Sequence, residues 1–379
     1  MTVQALLLSA YAAQSHRYWQ RGLGEMFPDW QWTELSLPPR YFSWRVRGNP
    51  LVWSMSERDL LEREYDLLVA TSMVDLATLR GLVPALAAIP TLLYFHENQF
   101  DYPQDRQRHS LLEAQMVSLY SALAADRLAF NSTYNRDSFL TGVSDLLARL
   151  PDQVPPGVVE MLQARACVLP VPIVEAADSV AGARWPSTPA NQEARRPLRI
   201  LWSARFEHDK GGEGLLRILA QLEQRDLSYE LAITGQQFRN SPPVFEQIKQ
   251  EYARRIVQFG YVESLRDFQA LQAAADIVLS TAEHEFQGLA VMQAVAAGCV
   301  PVVPDRLAYR EQYPAALRYD SCPGDPEKEA GAAAQLISDL ADKLCQGGLK
   351  APPVAQYGLE ALAPKYQAEL AALSGVHAG

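Results

Sequence analysis

Two doubly wound α/β domains, each a parallel sheet covered by helices and facing its neighbour across an interdomain cleft, are predicted by three features of the chain. Short, continuous apolar runs recur, bounded by polar, Gly or Pro residues. Helix-length segments separate them. One stretch near the middle, rich in Ala, Pro and polar residues, carries no sustained period. Uninterrupted apolar strands alternating with helices are the pattern of parallel sheets buried on both faces. Because the pattern occurs as two sets, it predicts two Rossmann-like sheets.

In the first half the strand runs are VQALLLSA (3–10), YDLLVATS (65–72), PTLLYFHE (90–97), RLAFNS (127–132) and ACVLPVPI (166–173). The break EAADSVAGARWPSTPANQEARRP (175–197) reads as linker and surface loop. The second half supplies LRILWSARF (198–206), YELAITG (229–235), RIVQFGYV (255–262), ADIVLSTA (275–282) and CVPVVP (299–304). PPVAQYGLEALAPKYQAELAAL reads as a closing pair of helices. The predicted boundaries are 1–174 for the first domain, 175–197 for the linker, 198–360 for the second domain and 361–379 for a final helix and tail. No internal sequence repeat relates the halves.

Composition narrows the classes. A chain of 379 residues suits two domains, and 48% hydrophobic with 21% charged residues marks a globular protein. A net charge of −10 argues against a broad nucleic-acid-binding face but permits a local basic patch. Every lysine lies at or beyond Lys210, so the first half meets anions through arginine. Cys167, Cys299, Cys322 and Cys345 have no metal-ligand spacing, which fits buried thiols in a reducing compartment. The N-terminal ALLLSAYAA lacks a basic leader and reads as a buried first strand. No apolar run approaches the ~20 residues of a membrane span, so a soluble cytoplasmic protein is expected.

Open parallel sheets bind ligands beyond the carboxyl ends of their strands, often at a helix N-terminus. In WSARFEHDKGGEGLLRIL (202–219), Arg205 follows a strand, Lys210 comes five residues later, and Gly211 and Gly212 open a helix. Two cations and free backbone N–H groups suit a diphosphate. A solvated basic loop with Arg205 paired to a nearby carboxylate explains the segment equally well. ITGQQF (233–238) ends a strand in Gly235, where a missing side chain lets a ligand approach the backbone or simply makes a turn. Val262 sits in the loop after the next strand. In EHEFQGLAVMQAVAAGCVPVVP, Glu285 stands where a strand gives way to a helix that Gly298 ends. Its carboxylate either complements the helix dipole or accepts hydrogen bonds from sugar hydroxyls. Glu283 reads as a solvated neighbour, and His284 stays open between a cleft role and packing at the helix entrance.

Arg205, Lys210-Gly211, Gly235, Glu285-Phe286-Gln287-Gly288-Leu289, Ala294 through Gly298 and Pro301 together resemble the donor domain of retaining GT-B glycosyltransferases of family four. The resemblance implies that Arg205 and Lys210 hold the donor diphosphate, that Glu285 holds hydroxyls of the transferred sugar, and that no metal is needed. The family's second glutamate, the ribose ligand, falls at Gln293. An amide offers one acceptor oxygen where a carboxylate offers two, so the ribose contact is the point of departure.

AYAAQSHRYW (10–19), SLPPRYFSWRVRG (36–48), YFHENQFDYP (94–103) and FNSTYNRDSFL (130–140) resemble the N-terminal domain of the tRNA-queuosine α-mannosyltransferases, and EHDKGG with AEHEFQG extends the likeness into the second half. That resemblance implies GDP-mannose as donor and the queuosine nucleotide of tRNA, with tRNA-Asp the expected species, as acceptor. His96, Glu97, Asn98 and Gln99 follow a strand, and the imidazole is a candidate proton acceptor or hydroxyl ligand. His16, beside Ser15, is a second candidate. Arg40, Arg45 and Arg47 interleave with Tyr41, Phe42 and Trp44. Arginines pair with phosphates while aromatics stack unpaired bases; an amphipathic edge segment is the plainer alternative. Arg106 and Arg108 would extend the patch.

The expected reaction is thus a metal-independent, retaining transfer of mannose from GDP-mannose to queuosine in tRNA, with the domains closing on the donor to exclude water. The rivals are a hexosyltransferase with a non-tRNA acceptor and a weakly catalytic nucleotide-sugar or RNA-binding protein. A glycoside hydrolase, built on two cleft carboxylates, has no use for the basic pair. No oligomeric state follows from the residues.

Overall fold

A computed structural model describes residues 2–101, 111–173, 185–186, 196–345 and 349–375. Arg106, Arg108 and most of the 175–197 stretch lie outside the described residues. The chain forms two compact units, Met1–Pro172 with Leu359–Gly379 and Ile173–Gly358.

The first unit is built on β1 (Gln4–Ser9), β2 (Gln31–Ser36), β3 (Leu67–Thr71), β4 (Thr91–Phe95), β5 (Arg127–Phe130) and β6 (Ala166–Val168), parallel and ordered β2-β1-β3-β4-β5-β6. The central strands β3 and β4 are buried at every residue, which is why they read as continuous apolar runs. β2 was missing from the sequence reading for the opposite reason. It pairs on one side only, against β1, and its residues QWTELS alternate between exposed and half-buried, so no apolar run marks it.

Three helices of this unit carry weight below: α1 (Gln14–Met26), α2 (Phe42–Ser56) and α3 (Leu76–Leu82), with α4 (Leu111–Ala124) packed beside α2 and α3. The segment containing Arg45 and Trp44 is therefore helix, not sheet edge. α2 contains Pro50, which has no N–H for the carbonyl one turn back. The buried Asn49 amide takes over, donating to Val46 O at 3.0 Å and Arg45 O at 2.7 Å.

The second unit carries β7 (Leu198–Ser203), β8 (Tyr229–Thr234), β9 (Ile256–Gly260), β10 (Ile277–Leu279), β11 (Val300–Pro304) and β12 (Arg318–Tyr319), ordered β12-β11-β10-β7-β8-β9. β12, a two-residue edge strand, also escaped the sequence reading. The relevant helices are α5 (Gly212–Gln224), α6 (Leu289–Ala296) and α7 (Tyr309–Gln312). Strands β7 to β9 run outward in one direction and β10 to β12 in the other. The reversal between β7 and β10 is the switch point at which doubly wound sheets bind ligands.

The last helix, α8 (Leu359–Ser374), returns to the first unit. Trp19 Nε1 donates to Tyr366 Oη at 3.0 Å, and Tyr366 lies 3.2 Å from Tyr94 Oη and 3.1 Å from Pro170 O. Arg127 grips Glu369 with two bonds, at 2.7 and 3.0 Å. Among the described residues no helix is long and apolar enough to cross a membrane.

Candidate functional site

At the β7–β10 reversal the two polar segments singled out in the second half come together. Lys210 closes a short 3-10 turn, His208–Lys210, and its Nζ lies 3.2 Å from Glu285 Oε2, 3.1 Å from Asp209 Oδ2 and 3.0 Å from His284 O. The two strand ends are bolted together by backbone and side chain. Thr281 Oγ1 donates to Lys210 O and accepts from Trp202 Nε1, both at 2.9 Å, while Glu283 N donates to Asp209 O at 2.9 Å.

Glycine is required where this junction turns. Gly211, the N-cap of α5, has φ 71°, and a Cβ there would stand 1.9 Å from Thr281 O. Gly288 does the same for α6, with φ 70° and the Tyr309 ring 2.9 Å from a built Cβ. Two helices thus begin at one spot without a side-chain cap, leaving first-turn N–H groups for an anion or a carboxylate. Glu285 takes one of them, from Gly288.

The charges are mutually held. Burial pushes the Glu285 carboxyl up, but the Lys210 ammonium and the Gly288 N–H outweigh it and leave the group below the ordinary carboxylate range. Burial likewise works against the charge on Lys210, and Glu285 with Asp209 overcome it, so its ammonium is held above its ordinary value. Both groups are ionised at neutral pH. They line a cavity with Trp202, Ser203, Gly288 and Tyr309. Such a site offers a cation to a leaving phosphate and a carboxylate to hydroxyls, side by side.

The other donor-side residues fall around this pair in different ways. Arg205 follows β7, is half exposed, pairs with Glu207 at 2.9 Å, and stands close enough to oppose the charge on Lys210. A Cβ at Gly235 would sit 1.8 Å from Ala204 O, so the glycine makes room for the neighbouring strand end. Val262 is half-buried in the loop after β9. Leu289 opens α6 and Gln293 lies one turn further, both half-buried and neither lining the cavity. His284 is buried edge-on against Phe286, 4.5 Å between ring centroids, and Glu283 is exposed.

Asp209, Ser280 and Tyr309 were not foreseen. Asp209 was legible as the neighbour of Lys210. Tyr309 carried no local signal; it reaches the site by packing under Gly288 and bonding Ser280 Oγ at 2.8 Å.

In the first unit the first turn of α1 and the end of β4 bring His16 and His96 face to face, ring centroids 4.0 Å apart and 18° from parallel. Trp19 and Tyr94 enclose His96 edge-on at 5.0 and 4.7 Å. Both histidines are buried. His96 Nε2 and both ring nitrogens of His16 lack a hydrogen-bond partner among the described residues; His16 Nε2 lies 3.6 Å from Glu97 Oε2. Burial, reinforced by His16, holds the His96 imidazole well below its ordinary value, so it is neutral at pH 7.

Two acceptor-side candidates are also held by the fold. Asn98 is fully buried and committed to the fold, its amide donating to Asn135 Oδ1 and Ser138 Oγ at 2.9 Å and its oxygen accepting from Phe100 N at 3.0 Å. Arg47 is held by carboxylates, paired with Asp75 and lying 3.2 Å from Glu113, which makes it a strut between α2, α3 and α4. Gln99 is buried beside Met73. Arg40, Trp44 and Arg45 remain at or near the surface.

Residues 4–173 match the family described as tRNA-queuosine alpha-mannosyltransferase N-terminal, and residues 197–339 match the glycosyl transferases group 1. A tRNA-queuosine alpha-mannosyltransferase of Drosophila melanogaster is 33% identical over 288 residues, 76% of this chain and 75% of the relative. The chain belongs to the tRNA-queuosine α-mannosyltransferase family. It is therefore a glycosyltransferase. Its fold is GT-B, shared with HepE of Anabaena, whose structure holds UDP and glucose (TM-score 0.65, 14% identity, 98% of this chain and 100% of that one). Sucrose-phosphate synthase of Thermosynechococcus elongatus aligns with a TM-score of 0.66 at 14% identity over 97% of this chain and 98% of its own.

Proposed function

We propose that this family member transfers mannose, with retention of configuration, from GDP-mannose to a hydroxyl of queuosine in tRNA. The Lys210–Glu285 pair carries the reading, placed at the β7–β10 switch point where α5 and α6 both begin. In the proposed reaction the bond from mannose C1 to the diphosphate oxygen breaks, a bond from C1 to the acceptor oxygen forms, and the acceptor proton is released. Negative charge grows on the departing GDP while the sugar gains oxocarbenium character. Lys210, Arg205 and the N–H groups at the start of α5 meet the first demand; Glu285 orients the sugar hydroxyls. These groups supply the charge compensation that a divalent cation provides elsewhere, so the proposed transfer is metal-independent. Gly211, Gly235 and Gly288 shape the donor pocket, and Val262, Leu289 and Gln293 are its proposed outer contacts. On the acceptor side, neutral His96 serves as a hydrogen-bonding group, with His16 and Glu97 behind it, while Arg40 and Arg45 meet RNA phosphates.

The test offers GDP-mannose and UDP-glucose in parallel to tRNA from queuosine-containing and queuosine-lacking cells, followed by mass analysis of the nucleosides. The expected result is one hexose added to queuosine, from GDP-mannose only. Vigorous transfer without tRNA would move the acceptor elsewhere. Donor binding with no turnover on queuosine-containing tRNA would make the chain a binding protein.

A further inference from the structure

Trp44 lies over Gly48, one turn further along α2. A Cβ built on Gly48 would be 2.6 Å from ring carbons Cδ2 and Cε2 and 2.7 Å from Cε3. These are three consecutive atoms of the six-membered ring, and near-equal distances to all three put the glycine under the face of the indole, not at its edge. The indole is 49% exposed, so its opposite face looks outward. Tyr41, in the left-handed conformation that starts the helix, is 72% exposed, with the Arg40 guanidinium 5.7 Å from its ring centroid. Arg45 donates to Pro38 O at 3.3 Å. Among the described residues no carboxylate pairs with Arg40 or Arg45, in a chain whose net charge is −10. Leu51 and Met55 continue the same face of α2, since positions 44, 48, 51 and 55 recur at helical spacing.

We infer that Trp44, seated on Gly48, is a stacking platform for an unpaired nucleobase, with Arg40 and Arg45 taking the phosphates beside it. The inference rests on the RNA acceptor proposed above and specifies its class: a single-stranded loop with a base free to leave its own stack, neither a duplex nor a free nucleoside. A flat indole offers a π face that any base can cover, and arginines without carboxylates match a phosphate backbone. Leu51 and Met55 alone would suit an apolar protein or lipid partner; the flanking arginines favour RNA.

The experiment measures binding of labelled queuosine-containing tRNA by fluorescence anisotropy, together with far-UV circular dichroism, in wild type and variants. Trp44→Ala is expected to weaken tRNA binding about tenfold or more, and Trp44→Phe to stay within about threefold of wild type, as expected for loss and retention of one stacked base. Gly48→Ala, which must displace the ring, is expected to weaken binding, and Arg40→Ala with Arg45→Ala to flatten its salt dependence. Far-UV circular dichroism shows the wild-type fold in all of them, so the loss is one of binding. Trp44→Ala binding tRNA as wild type does would overturn the platform while leaving the proposed function intact. So would a Leu51→Ser/Met55→Ser variant losing as much affinity as Trp44→Ala, with no salt dependence, which would mark an apolar docking face. A wild-type protein that binds no tRNA would remove the function and the platform together.

Discussion

Lys210 Nζ lies 3.2 Å from Glu285 Oε2, although 75 positions separate the two residues in the chain. The pair joins the end of β7 to the end of β10, and each member keeps the other charged within a largely buried site. Removing Lys210 leaves the Glu285 carboxylate without its cation, and removing Glu285 leaves Lys210 with Asp209 alone.

Lys210→Met and Glu285→Gln are each expected to lower transfer by about 10²-fold or more, the usual cost of removing one preorganised charge-stabilising group. Circular dichroism should still report a folded protein. Wild-type turnover in either variant would dismiss the donor site.

The same pair makes stability depend on pH at both ends of the range. The Glu285 carboxyl is held below its ordinary value of 4.5, so its contribution is present above that pH and lost as pH falls through the folded-state value. The Lys210 ammonium is held above its ordinary 10.5, so its contribution is full below that pH and disappears as pH rises past the folded-state value. Denaturant midpoints measured from pH 3 to 12 should therefore depend less on pH at the acid end in Glu285→Gln and at the alkaline end in Lys210→Met.

His96 makes an opposite and separate prediction. Its folded-state imidazole resists protonation, whereas the unfolded one takes a proton near 6.5. Stability should therefore fall as pH drops from 6.5 toward the lower folded-state value, and that slope should shrink in His96→Gln. The imidazole resonances of His96 should not titrate between pH 7 and 8; titration there would show a charged histidine.

Gln293→Glu is expected to tighten GDP-mannose binding several-fold, because a carboxylate offers two acceptors to a ribose diol where the amide offers one. Unchanged affinity in calorimetry would mean that the ribose is held elsewhere.

The final helix can be tested through one hydroxyl. Tyr366→Phe removes the acceptor of Trp19 Nε1 inside the first unit, a loss of about 1–3 kcal/mol for an unsatisfied buried donor. Urea unfolding should show it. No change would mean that α8 contributes little to that unit.

The strands buried on both faces were legible residue by residue, since β3 and β4 have no exposed position and are apolar apart from Thr71, Thr91 and the Tyr94 hydroxyl. Edge strands β2 and β12 were not, because an edge needs no continuous apolar run. The chemistry of the donor site was legible for a similar reason. Its cation, its glycines and its carboxylate each sit in the loop between a strand and the next helix, in local patterns that few other demands produce.

What the chain alone determined, then, is the alternation of strands and helices and the identity of Lys210 and Glu285. Only the tertiary structure decided which polar residues are free to act. Arg47 and Asn98 look like their neighbours in sequence, but one meets Asp75 and Glu113 and the other meets Asn135 and Ser138, partners brought by other elements. Tyr309 under Gly288, and Trp44 laid on Gly48, are likewise set by close packing. A side chain's role depends on what occupies the few ångströms around it, and that is fixed by contacts between segments distant in the chain.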